Sequence, residues 1–250
     1  MRIIRGIPYV RNPHPEQMLG FWLPEEGESF PLFVYFHGGG LVSGGYGMHR
    51  TAIETLVRHG VGVCCVGYRI YPEAAYPDFI RDAAAGVAYA VKHAGEYGCN
   101  GRVYVGGTSA GAYLSMMLAF DPRWLAVHKL KPTDLAGFVH HSGQPTTHFN
   151  VLRERGIDHR TVIVDEAAPL YHIRATDYPP MLFLTSDDDM PARYEQNQLV
   201  LATLKSFGHD MARFPFILEH GRHGCSAETD REDGENLLGL YILDFMKANP

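Results

Sequence analysis

The residues with the clearest capacity for chemistry form the run GTSAG, in which Ser109 lies between two glycines, Gly107 and Gly111. A predicted strand precedes the run and a predicted helix follows it. A strand–turn–helix of this kind places a serine on a sharp, strained turn, and the small residues let strand and helix approach closely. The start of the helix would present N–H groups and partial positive charge to a developing anion. The run predicts a nucleophilic serine; a glycine-rich turn with a serine N-cap is the alternative.

A second glycine-rich run, HGGG at His37–Gly40, directly follows a predicted strand that ends at Phe36. Consecutive glycines leave the backbone uncovered, so its N–H groups can face a substrate oxygen that carries negative charge. By itself the run could equally be a simple turn at the exit of a strand. Serine hydrolases of one α/β architecture combine an HGGG-type loop with a G-x-S-x-G turn in this chain order. The pair therefore predicts an oxyanion-binding loop.

A serine nucleophile needs a base, and the base needs an acid to orient it, in the chain order serine, acid, histidine. Three consecutive carboxylates, Asp187–Asp189, follow a predicted strand that comes after the serine. We predict that Asp189 is the acid, because it lies deepest in the loop. Asp188 is the alternative.

Two histidines follow the next predicted strand, in the run EHGRHG. We predict that His223 is the base, because Gly224 behind it permits a tight turn into a substrate cleft; His220 is the alternative. Two histidines three positions apart could also bind a metal. No nearby set of cysteines or carboxylates completes such a site, so we expect neither a metal nor a cofactor.

Four further residues near these motifs are candidates for substrate contact. His140 and His141 end a predicted strand at the rim of the site, and we select His141 of the two. His37, Gly38 and Thr108 belong to the two glycine-rich runs themselves. We expect substrate contact from His37, Gly38, Thr108 and His141.

Strands and helices alternate along the chain. Short apolar runs rich in β-branched and aromatic residues predict strands, and apolar residues at helical spacing predict helices. The predicted strands cover residues 31–36, 61–68, 102–106, 135–140, 181–185 and 213–218, and the predicted helices cover 48–59, 78–94, 110–120, 192–207 and 235–247. This alternation predicts an α/β fold with a mainly parallel central sheet and helices on both faces.

The stretch from Ser142 to Pro180 breaks this alternation. It contains four prolines and several histidines, and it has no clear periodicity. Long irregular connections inside a compact domain are usually functional. We therefore predict one domain, residues 1–250, in which residues 142–180 form a short lid or a substrate-binding insertion.

Composition excludes several classes of protein. The 250 residues carry 22 Lys and Arg against 28 Asp and Glu, a formal net charge of −6, which argues against a dedicated nucleic-acid binder. The apolar runs are shorter than the ~20 residues that cross a bilayer, and the first residues lack a signal-peptide core. We expect a cytoplasmic protein without nucleic-acid or membrane partners. Cys64, Cys65, Cys99 and Cys225 form no metal-binding pattern and are predicted to be small buried hydrophobes.

Together these motifs make the chain resemble the α/β-hydrolase esterases. Within them it resembles the compact carboxylesterase and kynurenine-formamidase-like branch that shares HGGG with hormone-sensitive lipase. Residues 67–73 (GYRIYPE) resemble the D-Y-R-x-x-P-E segment of the family, residues 186–189 its G-x-x-D, and residues 223–224 its H-G. Two positions depart from the pattern: Gly67 replaces an aspartate and Ser186 replaces a glycine.

The resemblance implies an α/β-hydrolase fold and supports Asp189 as the acid. It also implies that the oxyanion donors are the N–H groups of Gly39, Gly40 and Ala110. Only about 30 residues precede the HGGG strand, so we expect no large cap domain. Residues 142–180 and the loop at 41–48 would then be the only cover of the acyl pocket.

These inferences predict a serine carboxylesterase that hydrolyses small-molecule esters with short acyl groups, from acetyl to butyryl, through an acyl-enzyme. The mixed, histidine-rich character of residues 142–180 favours short acyl groups over long-chain lipids. A formamidase or other amide-type hydrolase with the same triad is one alternative, and a non-catalytic ligand-binding protein with a hydrolase fold is another. The apolar helix at Leu237–Met246 is predicted to belong to the core, with a homodimer face as the alternative.

Overall fold

The computed structural model describes residues 1–25 and 29–250, and an eight-stranded sheet forms its centre. The strands are β1 (Arg2–Pro8), β2 (Met18–Leu23), β3 (Phe30–Phe36), β4 (Gly62–Val66), β5 (Cys99–Thr108), β6 (Gly137–His141), β7 (Met181–Asp188) and β8 (Phe216–Arg222). Their order across the sheet is β1-β2-β4-β3-β5-β6-β7-β8. β2 is antiparallel to both of its neighbours, and the other pairs are parallel. The predicted mainly parallel sheet is confirmed.

Helices cover both faces of this sheet. They are α1 (Arg50–Arg58), α2 (Asp78–His93), α3 (Ala110–Phe120), α4 (Arg123–Ala126), α5 (Phe149–Glu154), α6 (Arg193–Ser206), α7 (Cys225–Glu228) and α8 (Leu237–Ala248). One apolar cluster contains residues of α2, α3 and α6, and the other contains residues of α1 and α8. Alternate side chains of β3 belong to opposite clusters, as the two-residue period of a strand requires.

The first two strands were not predicted from the sequence. β1 lies at the edge of the sheet and is largely exposed. Two arginines interrupt its sequence, so no continuous apolar run marks it as a strand. β2 is almost fully buried, and it pairs with β4, more than 40 positions further along the chain. Such long-range pairing leaves no local signal in the residues themselves. The prediction therefore lacked the antiparallel part of the sheet.

The predicted ends of two strands near the carboxylate and histidine runs were wrong. β7 continues to Asp188 instead of ending at Thr185, and β8 is shifted towards the C-terminus from the predicted 213–218. The two strands remain paired at Ser186 with Glu219 and at Asp188 with Arg222, with an irregularity between these pairs. Hydrogen bonding between the two backbones thus continues past the last residues of the apolar pattern.

Residues 142–180 lie against the body of the protein along part of their length. Residues 142–152 are mostly buried, whereas residues 155–162, which follow α5, are exposed. The Tyr113 hydroxyl of α3 donates a hydrogen bond to the Ala167 carbonyl at 2.8 Å. Thr147 N–H donates to the Ile163 carbonyl at 2.9 Å and closes the segment on itself. The segment therefore combines a packed base with an exposed outer turn.

The most apolar helices, α3 and α8, are both part of the core. Every residue of α3 is buried, and α8 buries Leu238, Ile242, Leu243 and Met246 against the sheet. The predicted core position of the C-terminal helix agrees with this packing. Across residues 1–25 and 29–250, no helix is both long enough and apolar enough to cross a membrane.

The four cysteines differ in their surroundings. Cys64 and Cys65 lie in β4 and Cys99 begins β5, and all three are buried. Cys225 is only partly buried, and its Sγ lies 3.4 Å from the Ser186 hydroxyl. The expectation of buried cysteines thus fits three of the four positions.

Candidate active site

Ser109 lies on a sharp turn between β5 and α3. Its backbone has φ 57° and ψ −114°, an unfavourable conformation that costs of order 1–3 kcal/mol. A Cβ at Gly107 would lie 2.6 Å from the Phe36 carbonyl oxygen, and one at Gly111 would collide with the same oxygen. Ser109 N–H donates to the His141 carbonyl at 2.8 Å. Close backbone packing therefore holds the strained turn, and Ser109 stays partly exposed.

His223 is the histidine that reaches this serine. Its Nε2 lies 2.8 Å from Ser109 Oγ, and its Nδ1 hydrogen-bonds Asp189 Oδ1. The His223 side chain is 28% exposed, whereas the Asp189 side chain is buried. The three residues follow β5, β7 and β8, so the ends of three parallel strands bring them together. A hydroxyl, an imidazole and a carboxylate in this arrangement can activate the serine as a nucleophile.

The charge of Asp189 is maintained by its partners. Burial alone would raise the pKa of this carboxyl, but the hydrogen bond and charge of His223 lower it below its ordinary value. Met190 N–H donates a further hydrogen bond at 2.6 Å. The ionised carboxylate can therefore hold the imidazole in one tautomer and stabilise its protonated form.

The alternative acid and base lie away from the serine. His220 belongs to β8 and is largely exposed, and its Nδ1 lies 2.7 Å from Asp187 Oδ2. Asp187 also accepts a hydrogen bond from Gly221 N–H at 2.9 Å. Asp188 is exposed at the end of β7. The structure thus brings neither His220 nor Asp188 into contact with Ser109.

The HGGG loop lies directly beside the serine. A Cβ at Gly38 would lie 3.5 Å from the Ser109 Cβ. Gly39 and Gly40 have φ angles of 109° and 63°, which favour glycine. Ala110 is the first residue of α3, where backbone N–H groups have no partner within the helix. The loop and the helix start therefore both lie beside Ser109, where their N–H groups are candidate oxyanion donors.

The side chain of His37 is buried and packs against Tyr68 next to the HGGG loop. Its ring stacks on the Tyr68 ring with centroids 4.3 Å apart, and the Tyr68 hydroxyl donates to the His37 carbonyl at 2.8 Å. Burial lowers the pKa of His37 to about 4, so the ring is neutral. This position differs from the predicted substrate contact, because stacking encloses the imidazole.

Thr108 and His141 are also buried, which corrects the expectation that they face the substrate. Thr108 Oγ1 hydrogen-bonds Tyr35 Oη at 2.7 Å and His141 Nδ1 at 3.0 Å. His141 does end β6, as predicted, but β5 and β7 flank this strand on both sides. The ring therefore lies among core groups and not at the rim of the site.

Comparison with known protein families agrees with this geometry. The profile of a family described as alpha/beta hydrolase fold matches residues 33–211, more than half of the chain. The chain belongs to the α/β-hydrolase family. The matched region contains the HGGG loop, the Ser109 turn and Asp189, and His223 follows it. The resemblance inferred from the motifs is confirmed at the level of the family.

This α/β-hydrolase is similar in sequence to bacterial esterases. It is 38% identical over 101 residues to esterase LipI of Mycobacterium tuberculosis, a match that covers 38% of this chain and 30% of LipI. It is 31% identical over 118 residues to the acetyl esterase of Salmonella paratyphi B, covering 46% of this chain and 35% of that protein. The chain thus spans about a third of the length of these two curated relatives.

Solved structures share the fold of this α/β-hydrolase over nearly its whole length. Esterase B from Lactobacillus rhamnosis superposes with a TM-score of 0.80 at 16% identity, covering 99% of this chain and 84% of that one. An esterase from Thermogutta terrifontis, Est2, superposes with a TM-score of 0.77 at 20% identity, covering 97% and 93%. At these identities the similarity concerns the fold alone.

A buried network beneath the site of this α/β-hydrolase was missed from the sequence. Glu219 of β8 accepts a hydrogen bond from His141 Nε2 at 3.0 Å, and Ser226 Oγ lies 3.2 Å from the same nitrogen. Burial would raise the pKa of the Glu219 carboxyl, but the hydrogen bond and charge of His141 lower it. Ser226 lies three positions after His223, so the network ties the loop of the base to the sheet. Glu219 begins the run EHGRHG, but nothing in that run shows that it would be buried.

Proposed function

We propose that this α/β-hydrolase is a serine carboxylesterase that hydrolyses esters with short acyl groups through a covalent acyl-enzyme. One observation carries the proposal: Ser109 Oγ lies 2.8 Å from His223 Nε2, while the buried Asp189 carboxylate holds the other ring nitrogen. This arrangement provides a nucleophile, a base and an orienting acid in one site.

In the first half-reaction, the Ser109 hydroxyl gives its proton to His223 Nε2 as Oγ bonds to the ester carbonyl carbon. Negative charge develops on the former carbonyl oxygen, for which the N–H groups of Gly39, Gly40 and Ala110 are the proposed donors. In comparable sites the loss of one such donor costs about 10²–10³ in rate. The bond to the leaving oxygen then breaks, and the alcohol departs with the proton from His223.

In the second half-reaction, His223 takes a proton from water as the water oxygen bonds to the acyl carbon. The bond from that carbon to Ser109 Oγ breaks, Oγ regains the proton, and the carboxylic acid leaves. Asp189 stabilises the imidazolium in both halves, since its carboxylate is ionised and lies against Nδ1.

Two observations support esters with short acyl groups as the substrates. The sequence relatives include an esterase and an acetyl esterase. The segment expected to cover the site, residues 142–180, has an exposed outer turn at 155–162 with charged and histidine residues, in contrast to the large apolar cover expected for long-chain lipids. The amide-type alternative would use the same three residues, and no contact in the site favours it.

Labelling with a fluorophosphonate tests the proposal directly. This reagent reacts with an activated serine, so we expect stoichiometric labelling of the wild type together with hydrolysis of 4-nitrophenyl acetate. Ser109→Ala should lose both, whereas Ser206→Ala, an exposed serine at the end of α6, should retain both. If the wild type is neither labelled nor active on esters, the non-catalytic binding protein is the correct description.

A further inference from the structure

A cleft of about 300 Å³ lies between α5 and the start of α6, next to the proposed active site. Its wall includes Phe149, whose ring would lie 3.0 Å from a Cβ at Gly40 in the HGGG loop. The opposite wall includes Met190, the residue directly after Asp189. Two lining residues of the cleft therefore adjoin the oxyanion loop and the acid of the proposed site, so a substrate bound at Ser109 could extend into it.

The ionisable residues that line this cleft are all basic. They include Arg153, Arg160, Arg193 and His159, and no carboxylate is among the described lining residues. Arg160 is paired with the exposed Asp158 outside the lining. The Arg153 guanidinium lies 5.2 Å from the centre of the Phe149 ring. Within residues 1–25 and 29–250, no carboxylate lies within ion-pair distance of Arg153 or Arg193.

Arg193 is the unusual member of this group because it is 4% exposed. Its Nη1 donates to the Ser142 carbonyl at 2.6 Å and its Nη2 contacts Met190 Sδ at 3.7 Å, but its Nε has no acceptor. Burial lowers the pKa of Arg193 to about 10, against the opposing effect of Asp189, so it remains charged at neutral pH. Burying a cation without a counter-ion costs free energy, which an anion bound in the cleft would offset.

We propose that this cleft binds a carboxylate group of the substrate, so that the preferred esters are anionic ones. Guanidinium groups suit this role, since their planar donors match the two oxygens of a carboxylate. The N-cap residue Ala192 and the first residue of α6, Arg193, also line the cleft, and the N-cap provides no side-chain acceptor. The helix dipole therefore adds to the positive potential. The inference rests on the proposed esterase activity and names its substrate class.

Two matched pairs of esters test the inference. The first pair is 4-acetoxybenzoate and 4-acetoxybenzamide, which places the carboxylate or its neutral counterpart on the alcohol half. The second is the 4-nitrophenyl monoester of adipic acid and 4-nitrophenyl hexanoate, which places it on the acyl half. We expect the anionic member of at least one pair to have a kcat/KM about tenfold higher, mainly through KM, with a preference that weakens as salt rises.

The double variant Arg153→Gln/Arg160→Gln should lower this ratio towards one. Both side chains are exposed, so the fold should be retained, as thermal unfolding would show. Arg81→Gln is the matched control, because it removes an exposed arginine of α2 that does not line the cleft; its ratio should equal that of the wild type. A ratio near one in both wild-type pairs, or an unchanged ratio in the double variant, would overturn the inference.

Binding separates this result from a failure of the proposed function. Calorimetry with Ser109→Ala protein measures the affinity for both members of each of the two pairs without turnover. Tighter binding of the anionic compound, lost in the double variant, supports the cleft even if no ester is hydrolysed. Equal binding within both pairs refutes it, and Ser109-dependent hydrolysis of neutral esters would then leave the esterase proposal intact.

Discussion

Ser109 keeps an unfavourable backbone conformation because groups on both sides of it are fixed. Its N–H is bonded to β6, and the glycines around it pack against the end of β3. The hydroxyl is by itself a weak nucleophile and depends on the base beside it. At the scale of single residues, the proposed chemistry therefore rests on two hydrogen bonds, from Ser109 to His223 and from His223 to Asp189.

The second of these bonds leads to a prediction about the acid. Asp189→Asn should lower kcat by up to about 10⁴-fold, by analogy with serine proteases, because an amide can support the wrong imidazole tautomer. The side chains have the same shape, so the fold should be retained, with a lower unfolding temperature because a buried hydrogen-bonded charge is removed. Steady-state kinetics with 4-nitrophenyl acetate and a thermal melt measure both effects.

Asp188→Asn is the matched control for this substitution. Asp188 is exposed and lies next to the proposed acid in the chain, so its amide should leave kcat within a fewfold of the wild type. If Asp188→Asn caused the large loss and Asp189→Asn did not, the assignment within the carboxylate run would be wrong.

At the scale of the elements, the ends of parallel strands position the site. Ser109, Asp189 and His223 follow β5, β7 and β8, and ligands of open α/β sheets bind at these carboxyl ends. Only two residues, His223 and Gly224, separate β8 from α7, and Glu219 and Ser226 on either side of them contact His141 in β6. This network joins elements that are distant in the chain.

We predict that Glu219→Gln destabilises the fold by about 1–3 kcal/mol, since it removes the charge of a buried hydrogen-bonded group. The wild-type pKa of Glu219 is lowered on folding, so its carboxylate contributes stability above the unfolded-state pKa. This contribution is lost as the pH falls through the folded-state pKa. The difference in the free energy of unfolding between wild type and Glu219→Gln should therefore be largest at neutral pH and become smaller below about pH 4.

Chemical denaturation across this pH range checks the prediction. Glu232→Gln, an exposed carboxylate replaced by its amide, is the control and should show no such difference. If the free energies of unfolding of wild type and Glu219→Gln differed by the same amount at all pH values, the proposed role of the charge would be contradicted.

At the scale of the whole molecule, the sheet and its two apolar clusters leave one main departure from regular alternation, residues 142–180. This segment packs on α3 and forms a wall of the cationic cleft beside the active site. The lining of this cleft combines basic side chains with apolar ones such as Phe149 and Met190. A long apolar chain that displaced water from the guanidinium groups of Arg153 and Arg160 would have to offset the cost of their desolvation.

The lining of the cleft predicts how the activity depends on the length of the acyl group. Among neutral 4-nitrophenyl esters, kcat/KM should be higher for acetyl and butyryl than for decanoyl, by about tenfold or more. Initial rates below the critical micelle concentration of the decanoyl ester provide the measurement. A preference for decanoyl would refute the short-chain specificity.

The sequence by itself determined the parts of this protein that depend on local patterns. Glycine spacing marked the Ser109 turn and the HGGG loop. Apolar periodicity located most of the strands and helices that position these two segments. The exact match of α3 to residues 110–120 illustrates this, because an apolar helix with a clear start needs no distant information. Chain order was sufficient to narrow the acid and the base to neighbouring candidates.

Only the tertiary structure decided the features that depend on contacts between distant segments. The extension of β7 and β8 places Asp187 with His220 on the surface and brings Asp189 and His223 to Ser109. Flanking strands bury His141, which the sequence placed at the rim. The cationic cleft likewise joins α5 to the start of α6, about 40 positions later. Periodicity records which face of an element is buried, whereas the partner across that face is set by packing of the whole chain.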